Sequence, residues 1–208
     1  MIYYTFGAII ILLFIWTAGS YLVTRNLEEP KYTVVENNNG YEVRQYEPYI
    51  IAETTVTGDF NSATNQGFRL IADYIFGNNT SKESIAMTTP VIEQKSEKIA
   101  MTVPVINTLD GNVTRSVSFV LPSKYTLDTL PQPNNDRVKI REVEAKKKAV
   151  LAFSWYATEK RTENKKAELI NLLNNNGVEI IGEVQVARYN PPASMPLTLR
   201  NEIIVEIK

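Results

Sequence analysis

Beyond its carboxylates, the 208-residue chain offers a metal four Met and eleven Tyr side chains, and it contains neither Cys nor His. Without Cys there is no disulfide framework, thiolate zinc site, Cys-held iron–sulfur cluster or thiol nucleophile. Without His there is no catalytic triad of the usual kind and no imidazole ligand for metal or haem iron. Any bound metal must use oxygen, Met sulfur or Tyr. Met87 and Met101 stand in matching places, fourteen residues apart, where their thioethers could ligate; the same alternation also makes an ordinary buried strand face. Glu42 and Glu202 could hold a cationic ligand or act as acid and base if buried. The sequence fixes no second carboxylate beside either, and an exposed strand position accounts for each equally. No catalytic residue is therefore assigned. With 22 Lys plus Arg against 23 Asp plus Glu, the formal charge is −1, so no nucleic-acid partner is expected, because phosphate neutralisation needs clustered cations.

The charge is unevenly spread. The first charged side chain is Arg25, and Ile2 to Val23 is an uncharged, mostly apolar run of 22 residues. As a helix it would extend about 33 Å, enough to cross a hydrocarbon core of about 30 Å. Tyr3, Tyr4, Trp16 and Tyr21 lie near its ends, where aromatics favour the membrane interface. Residues 1–23 are predicted to be a single-pass transmembrane anchor, 24–30 a polar linker and 31–208 one domain. A cleaved signal peptide is the competing reading, since Ala18-Gly19-Ser20 resembles a cleavage site, but no Lys or Arg precedes the apolar run. Arg25, Lys31 and Arg44 follow the span, which leans the soluble domain towards the cytoplasm.

In the domain, alternation predicts strands at 33–36 and 41–46 joined by a turn ending in Asn39-Gly40, and another near 50–57. A helix is expected over 61–76, capped by Asp59 or Asn61, with Phe68, Ile71, Ala72 and Ile75 as its apolar stripe and Gly77 as its stop. Strands follow near 85–93, 98–107, 116–121, 138–142 and 148–156. A second helix, 163–175, carries Ala167, Ile170 and Leu173, and strands near 178–189 and 201–207 close the chain. That order predicts an α+β domain of two related halves. Proline-rich segments at 122–136 and 190–196 read as connectors, either of which could rim a pocket. Lys146-Lys147-Lys148 reads as a solvated turn, or as a contact for anionic lipid headgroups.

The most specific feature is a repeat. Ile85-Ala86-Met87-Thr88-Thr89-Pro90-Val91 returns as Ile99-Ala100-Met101-Thr102-Val103-Pro104-Val105, and a polar turn between the copies predicts a hairpin at a sheet edge. Together with Tyr41-Glu42-Val43-Arg44-Gln45-Tyr46, Phe119-Val120-Leu121-Pro122-Ser123-Lys124-Tyr125, Leu130-Pro131-Gln132-Pro133, Val138-Lys139-Ile140-Arg141-Glu142, Ala187-Arg188-Tyr189-Asn190-Pro191-Pro192 and Arg200-Asn201-Glu202, the repeat resembles the SOUL haem-binding family from about Lys31 onward. The resemblance implies a barrel-like twisted antiparallel sheet of about eight strands with two helices, in two pseudo-symmetric halves similar to multidrug-sensor effector domains. It also implies haem or another tetrapyrrole as ligand. Some members are thought to ligate iron through His, which this chain cannot do, whereas others hold porphyrin in an apolar groove beside the first helix, with basic side chains near the propionates.

In that second mode the cofactor-binding residues would be Phe68, Ile71 and Ile75 for the ring and Arg69 and Lys82 for the propionates, with Met87 and Met101 as thioether candidates. The same three apolar residues also read as the core stripe of an amphipathic helix. The expected role is that of a membrane-anchored carrier, buffer or sensor of tetrapyrrole, not a haem enzyme. The alternative is a module for some other flat or amphipathic small ligand, recognised in the same cleft by a buried carboxylate such as Glu42 or Glu202.

Overall fold

The computed structural model describes residues 2–25, 27–81, 105–109, 114–191 and 193–208. The repeat hairpin, with Lys82, Met87 and Met101, lies outside the described residues. Helix α1 spans Ile2–Thr24 and is followed by strands β1 (Tyr32–Asn38), β2 (Tyr41–Tyr46) and β3 (Tyr49–Thr57). Helix α2 (Phe60–Ile75), the short strand β4 (Asn79–Thr80), β5 (Val105–Leu109), β6 (Thr114–Val120), the short β7 (Gln132–Pro133), β8 (Lys139–Val143) and β9 (Lys146–Phe153) come next. Helix α3 (Glu159–Asn175), β10 (Gln185–Arg188), a 3-10 turn at Pro196–Thr198 and β11 (Asn201–Glu206) complete the chain.

Among the described residues the main sheet is antiparallel, nine-stranded and open, ordered β1-β2-β9-β11-β10-β5-β6-β3-β8, and β4 pairs with β7 beside it. A barrel-like sheet of about eight strands is thus corrected to an unclosed one: among the described residues β1 and β8 end as separate edges. The order explains the two-half pattern. Around the β10–β5 pairing, β9, β11 and β10 occupy places equivalent to β3, β6 and β5. Each half also takes its outer strand from the other part of the chain, since β2 pairs with β9 and β8 with β3. Such exchange makes the halves one cooperative body, because neither completes its sheet from its own segment.

Helices α2 and α3 pack on one face of the sheet. Asp59 Oδ1 accepts from the backbone N–H groups of Asn61 and Ser62 at 3.0 and 2.9 Å, satisfying two donors that open α2. Ile71 and Ile75 bury against Ala52, Val117 and Phe119. Gly67 lets α2 approach β6 closely: a Cβ there would sit 2.5 Å from Val117 Cγ2. Thr158 starts α3 one turn earlier than its apolar stripe suggests, and the buried face is Thr162, Leu169 and Leu173. Ala167, expected on that face, is exposed, because a methyl group has too little area to orient a helix already held by two leucines. Of the expected strand 178–189, only β10 and the single bridge Ile180–Ile207 pair. The lysine run is no turn: it opens β9, where Lys146 reaches Glu206 at 2.8 Å and Lys148 is buried.

Candidate ligand-binding surfaces

The sheet face away from the helices carries a buried charged cluster. Alternation in β2 puts Tyr41 and Val43 towards α3 and turns Glu42, Arg44 and Tyr46 the other way. The same alternation in β11 aims Glu202 at them. Glu202 is 0% exposed. Arg44 Nη1 donates to both of its oxygens at 3.1 Å, Arg200 Nη2 to Oε1 at 2.9 Å, and the Tyr189 hydroxyl to Oε2. Arg44 also bonds Glu42 at 2.7 Å and lies over the Tyr32 ring, 4.4 Å from its centroid. Arg200 stacks 3.9 Å from the Tyr189 centroid and reaches Glu29 of the linker at 2.9 Å.

These contacts leave the cluster electrically closed. Burial pulls the Arg44 guanidinium down, but the Glu202 charge and the bonds to Tyr46 and Glu42 more than reverse this, so it is held charged. Arg200 follows the same balance, with Glu202 again the main opposing influence. Burial first, then the Glu202 charge, raises the Tyr189 phenol, and burial foremost raises Tyr46. Both phenols therefore keep their protons, Tyr189 donating to Glu202 and Tyr46 accepting from Arg44. A carboxylate whose oxygens already accept from two guanidiniums and a phenol has little left to offer a cationic ligand. Glu202 is inward, as the alternative reading required, but neutralised by the protein itself.

Next to this cluster, between the two halves, lies a cleft of about 500 Å³ whose walls include Tyr49, Ile51, Ile106, Ser118, Arg141 and Lys148. Its size suits a small ligand. Lys148 Nζ donates to the Tyr49 hydroxyl at 3.0 Å and lies about 5.5 Å from that ring. The charge count is unfavourable for a dianion: five glutamates face Arg141, Lys146 and Lys148, and Arg141 and Lys146 are already paired with Glu53 and Glu206 at 2.8 Å.

On the outer side of α2 the balance differs. Phe68 is 36% exposed, its ring 5.3 Å from that of the buried Phe119 and tilted at 56°. Arg69 beside it is exposed. Ile71 and Ile75, expected to line a groove with them, are 0% and 1% exposed. They hold the helix to the sheet from beneath and have no surface to give a ligand. Of the seven residues expected around a tetrapyrrole, Phe68 and Arg69 are thus both exposed on α2, Ile71 and Ile75 are the buried support of the helix, and Lys82, Met87 and Met101 lie outside the described residues. Sequence reasoning gave no site role to Arg44, Tyr189 or Arg200, although all three stand in the motif segments quoted above and could have been flagged as partners of Glu202, and it read Lys148 as part of a solvated turn or a lipid-headgroup contact.

The SOUL heme-binding protein model matches residues 27–206. The chain belongs to the SOUL heme-binding protein family. Among curated SOUL relatives it is 28% identical to Heme-binding protein 1 of Xenopus laevis over 182 residues, covering 81% of this chain and 90% of that one. It is 27% identical to human Heme-binding protein 2 over 165 residues, covering 78% and 76%. Among solved structures it resembles the EcmrR C-terminal domain at TM-score 0.60 and 9% identity, covering 85% of this chain and 98% of that one. A hydrolase from Listeria innocua is similar at TM-score 0.51 and 10% identity, covering 84% and 94%. At such identities the structural likeness shows a shared fold and no shared chemistry. Membership of the SOUL family supports binding of haem or a related tetrapyrrole in general. Among the described residues there is no group of three or more His, Cys, Asp or Glu able to hold a metal ion.

Proposed function

We propose that this SOUL protein binds haem or a related tetrapyrrole reversibly on the outer face of α2, without histidine ligation, and acts as a membrane-tethered carrier or buffer. The observation that carries the reading is the exposed Phe68 ring, backed by Phe119 and adjacent to the exposed Arg69, in a chain whose family match spans 27–206. A flat apolar ring needs an aromatic platform, and its propionates need a cation. Phe68 and Arg69 supply both at a rim; Lys82 would add a second cation, and Met87 or Met101 a thioether. Bound haem would supply its own redox and gas-binding chemistry, while the protein's part is to hold and release it. Weak retention is expected, because an exposed ion pair contributes only about 0–1 kcal/mol and an aromatic pair about 0.5–1.5 kcal/mol beyond buried area.

Tethering rests on α1, whose Tyr3–Leu22 segment has a mean hydropathy of 1.9 and is 6% buried. A core helix would be enclosed, and this one is not. Removal as a signal segment would also discard the residues that bond to the domain: Trp16 Nε1 donates to Ala193 O, and Ser20 Oγ accepts from Met195 N, both at 2.9 Å. The test is a hemin titration of the full-length protein in lipid nanodiscs, against empty nanodiscs. A saturable Soret change at equimolar hemin supports binding; a response identical to that of empty discs removes it.

One observation favours a second reading. The net-acidic 500 Å³ cleft suits a neutral or cationic amphipathic ligand better than a tetrapyrrole dianion. A cationic dye that binds with equal affinity before and after hemin saturation would assign the cleft that separate role.

A further inference from the structure

Two charge-free loops meet beside α1. The segment from Asn190 to Leu199 contains three prolines and no Asp, Glu, Lys or Arg, and Ser154 to Thr158 contains no such charged side chain either. They are joined where Trp155 N–H donates to Pro196 O at 3.1 Å and Asn201 Nδ2 donates to Trp155 O at 2.8 Å. Trp155 has φ +70°, the one described non-glycine residue at positive φ. That conformation is costly for a bulky side chain and persists only where its surroundings impose it. Here both backbone groups of Trp155 are tied to neighbouring segments, and the indole is left outside, 46% exposed, with Tyr156 at 46% and Leu197 at 59%.

The position of α1 says what covers this surface. Trp16 and Ser20 are bonded to the 190–199 loop, so the loop lies alongside the last turns of α1, reaching about 12 Å back from its C-terminal end. The stretch of α1 before Trp16 has thirteen apolar-run residues from Tyr3, about 20 Å of helix, which falls short of a hydrocarbon core of about 30 Å. The stretch from Trp16 to Leu22 must therefore also enter the bilayer, and the loop bonded to it descends to the headgroup–acyl boundary. Its backbone is suited to that depth. Pro191, Pro192 and Pro196 have no N–H, and four of the other seven N–H groups, those of Ser194, Met195, Thr198 and Leu199, are engaged within the protein. The linker fixes the geometry further, through Glu28 with Ser123 N at 2.8 Å and Glu29 with Arg200 at 2.9 Å.

We propose that Trp155, Tyr156 and Leu197 form an interfacial docking surface that seats the domain on the leaflet from which α1 emerges, so that the domain is held in one orientation on the membrane and does not swing on a free tether. This rests on the anchoring reading of α1. The occupant is the lipid interface, for which Trp and Tyr have the required amphipathic form.

The test exploits the two tryptophans and the absence of cysteine. The full-length chain is reconstituted in phosphatidylcholine vesicles containing lipids brominated at shallow or deep acyl positions. Trp155→Phe leaves Trp16 as reporter of α1, and Trp16→Phe leaves Trp155 as reporter of the loops. A single Leu197→Cys carrying a polarity-sensitive dye, in the otherwise native chain, decides wherever loss of the Trp16 bond alters docking. Quenching of both tryptophans, with Trp155 favouring the shallow bromines and the dye at Leu197 reporting an apolar site, supports the proposal. Quenched Trp16 with an unquenched Trp155 and a water-exposed dye overturns the docking and leaves the anchor standing. Trp16 unquenched overturns both.

Discussion

The Glu202 cluster and the outer face of α2 use similar residue types to opposite effect. In the cluster, aromatic rings and guanidiniums surround a carboxylate until each charge has a partner, with Arg44 bonded to Glu42 and Glu202 and Arg200 to Glu202 and Glu29. On α2, Phe68 and Arg69, neighbours in sequence, are both left exposed. Chemistry-bearing residues alone do not make a binding site. What distinguishes the two regions is whether the protein has already used the interactions a ligand would need.

The largest effect expected from this contrast is on stability. Glu202→Ala leaves the buried Arg44 guanidinium, whose side chain is 6% exposed, without its main counter-charge. Breaking a buried pair costs about 3–5 kcal/mol; Arg200 is part exposed and keeps Glu29, so about 3 kcal/mol is expected from urea unfolding. A loss below about 1 kcal/mol would contradict the structural role given to the cluster. On α2, Ile71→Ala should cost about 2–5 kcal/mol as a core cavity, whereas Phe68→Ala, at a ring already 36% exposed, should cost less, about 1–2 kcal/mol, and act on ligand binding as well. Equal destabilisation by the two would erase the division between support and surface. For Gly67→Ala, helix propensity favours the change by about 1 kcal/mol. The new methyl group, however, would meet the stiff Val117 side chain at 2.5–2.6 Å, and overpacking costs about 1–3 kcal/mol, so a lower Tm is expected and a higher one would contradict the close α2–β6 approach.

The smallest effect is on pH dependence. Tyr46 and Tyr189 are raised above the ordinary phenol value of 10.0. Above that pH the unfolded chain releases phenolic protons that the folded chain retains, so the folded state binds more protons and stability falls as pH rises. Below it the two states are alike in these groups. Tm should decline from about pH 10 upward, less steeply in Tyr46→Phe, and an unchanged slope in that variant would remove Tyr46 from the account.

Local features of the fold were legible in the sequence. The Asp59 cap, the Gly77 stop and the 3.6-residue stripe located α2 to within one residue at each end, and the Asn39-Gly40 turn gave the first hairpin. Long-range exchange was not: nothing local in Tyr41–Tyr46 says that it pairs with β9 rather than within its own half. Lys146–Lys148 read as a turn because charge suggested solvent, yet Lys148 is satisfied by Tyr49, almost a hundred residues away. The candidate site was legible in part. Periodicity picked out Phe68, Ile71 and Ile75 together, but a helical stripe has a centre and a rim, and only packing shows that the isoleucines are the centre and Phe68 the rim. The docking loops were read otherwise, 190–196 as a connector and 154–156 as the end of a strand, although their freedom from charge was visible.

The central claim is that tetrapyrrole binds at α2 and not in the cleft between the halves. Hemin affinity in nanodiscs should be measured for Phe68→Ala with Arg69→Ala and, separately, for Lys148→Met in the cleft. We expect the α2 pair to weaken binding about tenfold or more, equivalent to about 1.4 kcal/mol, with Lys148→Met within about twofold of the unsubstituted protein. The reverse pattern, unchanged affinity in the α2 pair and a large loss with Lys148→Met, would contradict the claim and move the ligand to the cleft.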